Sequence, residues 1–390
     1  MTDLSNIWKL YVNRFFHNLI PAYVIERLFW EQRGMTIQMV VYTEIIFAKT
    51  VFLLEVPTGI IADKWGRRKM MVLSALLGCC EFLILLFSTE FWHFAVVVFL
   101  AGIARSASSG SENALLYDSL LRNGKEQTFE RCLGRLNAYD FIAIIIAALC
   151  GSLLANRFGY ELNYWISFAS MLVSLCISFM LVEPAVKSDA DESVEIKAYL
   201  TASVLFFSKN PEVCLMVLSG MVTGAAMSFI DEFWQLYLNR LEFPVVYFGL
   251  FSAAFMILRL PGNVLAHALK SRYSYRTLLL VVTAVFAAGF LYVSIIKGIT
   301  GLLAILLIGL FSGIIEPMTA GYLHHRLNSS MRATIDSFQS FGLNAVLILT
   351  GLGFGFFSSR FDIFGGFGFI AFICIAFFVY FSYASKAIVE

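Results

Sequence analysis

Residues 59–69 read Gly59-Ile60-Ile61-Ala62-Asp63-Lys64-Trp65-Gly66-Arg67-Arg68-Lys69, so that four cations, one carboxylate and two glycines are crowded into a short stretch. Gly66 supplies a residue that turns tightly at little cost, and Gly59 allows a close helix approach. Asp63 can bond the basic cluster or an unsatisfied helix N-terminus on the other half of the chain. The apolar runs on both sides make the stretch the charged turn of a helical hairpin. The run that follows, Met70 to Ser88, recurs in kind at Leu278 to Ile296 and Gly366 to Ser382. Each is near the roughly 20 residues that cross a hydrocarbon core as a helix.

Composition agrees. Of the residues, 59% are hydrophobic and 14% are charged, against about a quarter charged in an average soluble domain. Too few charges remain to wet a globular surface, so an all-α membrane protein in contact with a lipid bilayer is expected. A net charge of +1 gives no reason to expect nucleic acid or a strongly acidic partner. The cysteines, Cys79, Cys80, Cys132, Cys150, Cys176, Cys214 and Cys374, lie nearly all in apolar runs, without a C-x-x-C pair or a Cys/His cluster. They read as small core residues, and no metal site or cofactor is expected. Met1 to Lys9 is too polar to open a signal peptide, so the first run reads as a retained helix.

Spans are expected near 7–28, 37–60, 70–89, 93–119, 134–155 and 161–182, then near 212–237, 245–268, 276–296, 300–323, 333–357 and 363–384. These twelve transmembrane helices fall into two halves of six, residues 1–183 and 212–390, on either side of a linker at 184–211. The linker carries Lys187, Asp189, Asp191, Glu192, Glu195 and Lys197 and then an apolar patch from Tyr199 to Phe207, which reads as a tether followed by an interfacial helix. A shift of 204 residues places Pro57 on Pro261, Ala62 on Ala266 and Glu112 on Glu316, a faint pseudo-symmetry of the two halves. Eighteen Lys and Arg fall in one set of loops and the termini; the opposite set holds only Arg27, Arg33, Arg157, Arg240, Lys297 and Arg360. The excess puts both termini and the linker on the cytoplasmic side of the membrane.

The 59–69 loop closely resembles the signature G-x-x-x-D-[RK]-x-G-R-[RK] of the major facilitator superfamily, and the chain is similar to that family in length, span count and linker position. The resemblance implies alternating access between two six-helix bundles. It also implies that Gly59, Asp63, Gly66, Arg67 and Arg68 gate the conformational change rather than touch substrate. His267 stands where the second half would carry the equivalent of Asp63, so the implied gate is asymmetric. Two patterns common in proton-linked exporters are imperfect. Arg105 is followed by Gly110, one residue late, and the fifth span offers Ile146 to Gly151 with no proline. The segments Glu55 to Gly59, Glu112 to Asp118 and Glu183-Pro184 resemble a branch of bacterial facilitators commonly described as exporters.

A charge near the bilayer centre costs about 2.5–3.5 kcal/mol on insertion scales and therefore needs a partner or a water-filled cavity. Arg14, His17, Lys49, Arg105 and Arg259 fall within spans, as do the acids Glu44, Glu55, Glu112, Asp140, Asp231, Glu232 and Glu316. A proton-coupled carrier needs a carboxylate that changes solvent access between states, and Glu112 and Glu316 lead the candidates. The competing reading makes each a structural ion pair, for instance with Arg105 or Arg14. Arg14 and His17 lie three apart on one face of the first span, where His17 either relays a proton or packs as a hydrogen-bonded side chain. Asp231 and Glu232, beside Phe233 and Trp234, either draw in a cationic substrate and form an outer gate or cap a solvated helix end. Phe229, Phe233 and Trp234 are candidate cavity rings. Asp118, Arg122, Arg131, Arg135, Asp140 and Asp336 are expected to pair with one another or with the Asp63 loop as an inner gate.

With no G-x-S-x-G, H-E-x-x-H or G-x-x-x-x-G-K-[ST] in the chain, a membrane enzyme and an ATP-driven pump are both disfavoured. The resemblance leads to a monomeric secondary transporter of a small molecule, with proton-coupled efflux of a drug-like or metabolite compound first. Proton-coupled uptake of a nutrient or metabolite, or a non-transporting transceptor or lipid-handling protein, stands as the alternative.

Overall fold

The computed structural model describes residues 4–109, 111–183, 210–326 and 329–387, and the side chains of Asp63, His267, Glu316 and residues 323–341 are among those outside the description. The expectations placed on Asp63, His267, Glu316 and Asp336 therefore lie outside the described residues, as do the tether and interfacial helix placed at 184–209.

The helix α1 (Leu4–Asn18) does not run on as the sequence predicts; a 3-10 turn at Pro21–Val24 and the short α2 (Glu26–Gln32) follow it. Pro21 has no N–H to donate and pushes Ile20 to φ −118°, ψ 87°, away from the helical region. The polar groups freed by the break find partners. The Asn163 side-chain amide donates to the Pro21 carbonyl at 3.2 Å and the Gly151 carbonyl at 2.8 Å, and the Ala22 N–H donates to Ser167 Oγ at 3.1 Å.

The hairpin read from the charged loop is α3 (Ile37–Trp65) and α4 (Arg67–Phe87), joined at Gly66. Gly66 has φ +105°, a conformation that explains why glycine stands there. At Gly59, where the sequence predicts a close helix approach, an added Cβ would meet nothing within 4 Å among the described residues. The close approach is made by Gly102 of α5 (Phe91–Ser108), where a Cβ would come 2.8 Å from Thr50 Cβ. Pro57 lies inside α3, and the Thr58 hydroxyl donates to the Leu54 carbonyl at 2.7 Å and across to the Ser106 carbonyl of α5 at 3.0 Å.

The predicted fourth span is also interrupted. After Ser108 the backbone leaves the helical region at Ser109 (φ −56°, ψ 127°), and α6 begins at Ser111 and ends at Leu121. Next come α7 (Phe129–Phe158) and α8 (Glu161–Met180), then α9 (Pro211–Arg240), α10 (Phe248–Lys270), α11 (Tyr275–Ile295), α12 (Thr300–Arg326) and α13 (Ser329–Ala384). The last is kinked at Phe361 and at Asp362 (φ 55°, ψ −165°). Ten segments among the described residues are long and apolar enough to cross a membrane; Gly342–Ala384 is one of them and holds the kink. Neither α1 nor α2 is long enough to be counted singly.

Two compact units divide the chain: Met1–Met35 with Tyr42–Asp191 and Pro244–Ala253, and Thr36–Val41 with Glu192–Phe243 and Ala254–Glu390. In the first, Leu10, Leu115, Leu116, Leu120 and Leu136 pack with Met71, Cys132 and Leu181. A polar seam joins α1 to α8, with Asn13 donating to the Ser174 carbonyl at 2.8 Å, Ser174 Oγ at 3.0 Å and Ser178 Oγ at 2.9 Å. In lipid, where apolar burial does not drive helices together, small residues and hydrogen bonds of this kind hold the contact. The second unit has an aromatic core in which the Phe354 ring lies 4.7 Å from Phe229, 4.7 Å from Phe233 and 5.7 Å from Phe367.

Candidate functional site

Arg14 stands ten residues into α1, about 15 Å along its axis at 1.5 Å per residue, and its guanidinium collects two carboxylates. Nη1 bonds Glu112 Oε2, and Nη2 lies 3.7 Å from Asp140 Oδ2. The Glu112 side chain is 8% exposed and that of Asp140 26%. The three residues come from α1, α6 and α7, so the site is assembled by packing and not by one motif. Glu112 Oε1, Asp140 Oδ1 and Arg14 Nε are buried without a hydrogen-bond partner. One shared cation thus leaves acceptor capacity unused on both acids.

The break in the fourth span explains how charges survive here. Arg105 lies in the last turn of α5 and Glu112 in the first turn of α6. Helix C-termini favour cations and N-termini favour anions, each by roughly 0.3–1 kcal/mol. A continuous helix offers neither end at this point. Arg105 acts electrostatically on Glu112, Asp140 and His17, and His17 also lies within reach of Arg14. Arg105 is exposed and makes no ion pair among the described residues. Discontinuous spans with charges at their broken ends are a recurring way of building a solute site within a bilayer.

Asp140, expected from the sequence among the inner-gate charges, is found beside Arg14. It lies eleven residues into α7 and faces Arg14. Among the described residues of the expected gate, Arg67 and Asp118 form an ion pair, while Arg67 also donates to the Ala114 carbonyl at 3.2 Å. Arg135 is exposed near Tyr11 and joins no ion pair among the described residues. The N-terminus of α4 is capped by a residue that the sequence reading did not single out for it, Glu183. Glu183 Oε1 accepts from the Arg67 N–H at 2.8 Å and Oε2 from the Arg68 N–H at 2.7 Å, while Arg68 Nη2 donates to the Phe179 carbonyl at 2.7 Å. Nothing in the sequence around Glu183-Pro184 points to this role, because nothing local ties it to a loop more than a hundred residues earlier.

In the second unit Asp231 is not a helix-end residue. It lies nine residues before the end of α9, and its Oδ1 takes a bond from Arg259 Nη2 of α10 at 2.5 Å. Arg259 also stacks 4.6 Å above the Phe255 ring. Trp234 is 6% exposed, Phe229 6% and Phe233 1%, so these rings are buried within the unit. No group of three or more His, Cys, Asp or Glu among the described residues is arranged to hold a metal.

The family model for the Major Facilitator Superfamily matches residues 13–344. An uncharacterised MFS-type transporter of Bacillus subtilis (strain 168), YxaM, is 26% identical over 345 residues, 81% of this chain and 79% of that protein. The class H tetracycline resistance protein of Pasteurella multocida is 20% identical over 322 residues, 81% and 77% of the two chains. An uncharacterised transporter of Buchnera aphidicola subsp. Schizaphis graminum (strain Sg) is 23% identical over 164 residues, a match that spans 42% of this chain and only 40% of that relative. The crystal structure of a mutant of the nucleoside transporter NupG superposes with a TM-score of 0.82 at 15% identity, covering 97% of this chain and 99% of the other; at that identity the likeness carries the fold alone. With the loop signature, the apolar helices and a family match over most of its length, the chain belongs to the major facilitator superfamily.

Proposed function

We propose that this protein is a proton-coupled secondary transporter that exports a small drug-like or metabolite molecule across a bacterial plasma membrane, working as a monomer with both termini in the cytoplasm. The observation that supports the reading best is the Glu112–Arg14 pair. A carboxylate only 8% exposed at its side chain is stable as an anion because the guanidinium is beside it. Taking up a proton removes the reason for that contact and frees Arg14 to move. Proton binding and a rearrangement inside the first unit are thereby linked, which is what coupled transport needs.

The same reading gives the charged loop its work. Arg67 bridging to Asp118, with Glu183 on the N-terminus of α4, ties α4, α6 and the end of α8 into one latch at the cytoplasmic end. Releasing it costs two charge-assisted backbone bonds and an ion pair, enough to bias one conformation over another by a few kcal/mol. Export is preferred over uptake because tetracycline resistance is named among the relatives. Drug-sized cargo is preferred for the same reason.

The test expresses the chain in a strain stripped of its own exporters and challenges it with tetracycline and with ethidium. Resistance that rises with expression and disappears with an uncoupler is the expected result. Enhanced accumulation of a labelled metabolite in the same cells, with no gain in resistance, would establish uptake instead.

A further inference from the structure

Resting on the transport reading, we infer that Glu112 and Asp140 work as one proton-carrying pair that shares Arg14, so that Asp140 is a coupling residue and not a gate residue. Three observations lead there. Arg14 is bonded to Glu112 while its other terminal nitrogen already lies 3.7 Å from Asp140. Each acid keeps one buried oxygen with no hydrogen-bond partner, and so does the Arg14 Nε–H. The Glu112 side chain is 8% exposed and that of Asp140 26%, so Asp140 is the more accessible of the two.

One guanidinium cannot fully satisfy two buried carboxylates, because five N–H donors in a rigid fork face eight lone-pair sites from one side only. The arrangement is relieved when one acid is neutral. In the exchange step Glu112 gives up its carboxyl proton and becomes the anion. Asp140 receives that proton on Oδ1 and becomes the acid, and Arg14 moves its bond from Asp140 to Glu112. One O–H bond breaks and one forms, and no other reactant is needed. The geometry described has Arg14 on Glu112, which corresponds to the state after transfer. Asp140, the wetter partner, is then the point at which the proton leaves or enters.

The charged groups that act on the pair are Arg14 from α1 and Arg105 from α5, and His17 of α1 lies within the field of both arginines. The stretch of α4 from Met70 to Cys80, and α8 beyond Glu161, carry no charged side chain. Asp140 and both arginines thus act on Glu112, and the same two arginines act on Asp140, the arrangement in which two carboxyls are expected to titrate as a unit.

Infrared difference spectra of the purified full-length protein in nanodiscs, taken through a series of pH steps, test this without any substrate. In the wild type the pair contributes two carboxyl transitions. Removing either acid, by Glu112→Gln or by Asp140→Asn, is expected to displace the remaining transition by about one pH unit or more. The inference is overturned if each variant deletes one transition and leaves the midpoint of the other unmoved, or if neither variant removes any carboxyl band. Should either variant fail to fold, Glu112→Asp and Asp140→Glu keep both acids while changing their reach. Both midpoints then move if the pair is coupled, and only one moves if it is not. Flux that ignored the pH gradient would refute the transport reading and leave this spectroscopic result standing, so the two failures are separable.

Discussion

Replacing Arg14 by methionine keeps most of the volume of the side chain and removes its charge. Glu112, with a side chain 8% exposed, then loses its strongest partner, and Asp140 loses a cation 3.7 Å away. Breaking one side of a buried ion pair costs about 3–5 kcal/mol, chiefly because the other charge is left uncompensated. Arg14 is itself 27% exposed at its side chain, so water relieves part of this and about 2–3 kcal/mol is the better expectation. The cost falls as pH is lowered, since Glu112 can take up a proton and stop being a buried anion. It also falls in Arg14→Met/Glu112→Gln, where no carboxylate remains at position 112. A double-mutant cycle, read as chemical or thermal unfolding in detergent at two pH values, should give a coupling energy of about 1–3 kcal/mol at the higher pH and less at the lower. Additivity within about 0.5 kcal/mol, or a cost of Arg14→Met that does not change with pH, would refute the claim that this pair is held together by charge.

Other consequences are as direct. Glu183→Gln leaves one oxygen to serve two N–H groups and removes the charge from the N-terminus of α4; a loss of about 1 kcal/mol, with faster cleavage by an added protease near Arg67, is expected, and no change in either would mean the cap is incidental. Gly151→Ala would drive a Cβ to 2.5 Å from the Pro21 carbonyl and 2.9 Å from Val24 Cγ1, so unfolding should show a loss of about 1–3 kcal/mol. Exchanging the charges of the second unit's pair, Asp231→Arg with Arg259→Asp, should restore most of the stability that each single change removes, and failure to do so would show that Phe255 stacking and not the ion pair fixes Arg259.

Much of the architecture could be read in the chain because hydropathy is a local signal. The apolar runs and the Gly66 turn depend on nothing but neighbours in sequence. The interruptions did not show in that signal. Pro21 lies in a run apolar enough to pass for one helix, and the break after Ser108 carries no proline at all. What supports the first break is Asn163, more than a hundred residues away. The same distance hid the site. Glu112, Arg14 and Asp140 were each visible as costly charges within spans, but the grouping of Asp140 with Arg14 depends on the rotation of α7 against α1, which a depth estimate does not contain. Depth alone put Asp140 with the gate. Gly59 shows the opposite error, in which a residue was given a packing role by its type when the close contact belongs to Gly102.

Proton coupling through Glu112 is tested most directly in everted membrane vesicles. Energised to build an inward-acid gradient and carrying a pH-sensitive dye, they report proton efflux when ethidium or tetracycline is added. The wild type should show dye recovery on addition of an exported compound. Glu112→Gln, compared at equal membrane abundance, should show none, because its amide cannot release a proton when Arg14 moves. Recovery in Glu112→Gln equal to that of the wild type would contradict coupling through this carboxylate.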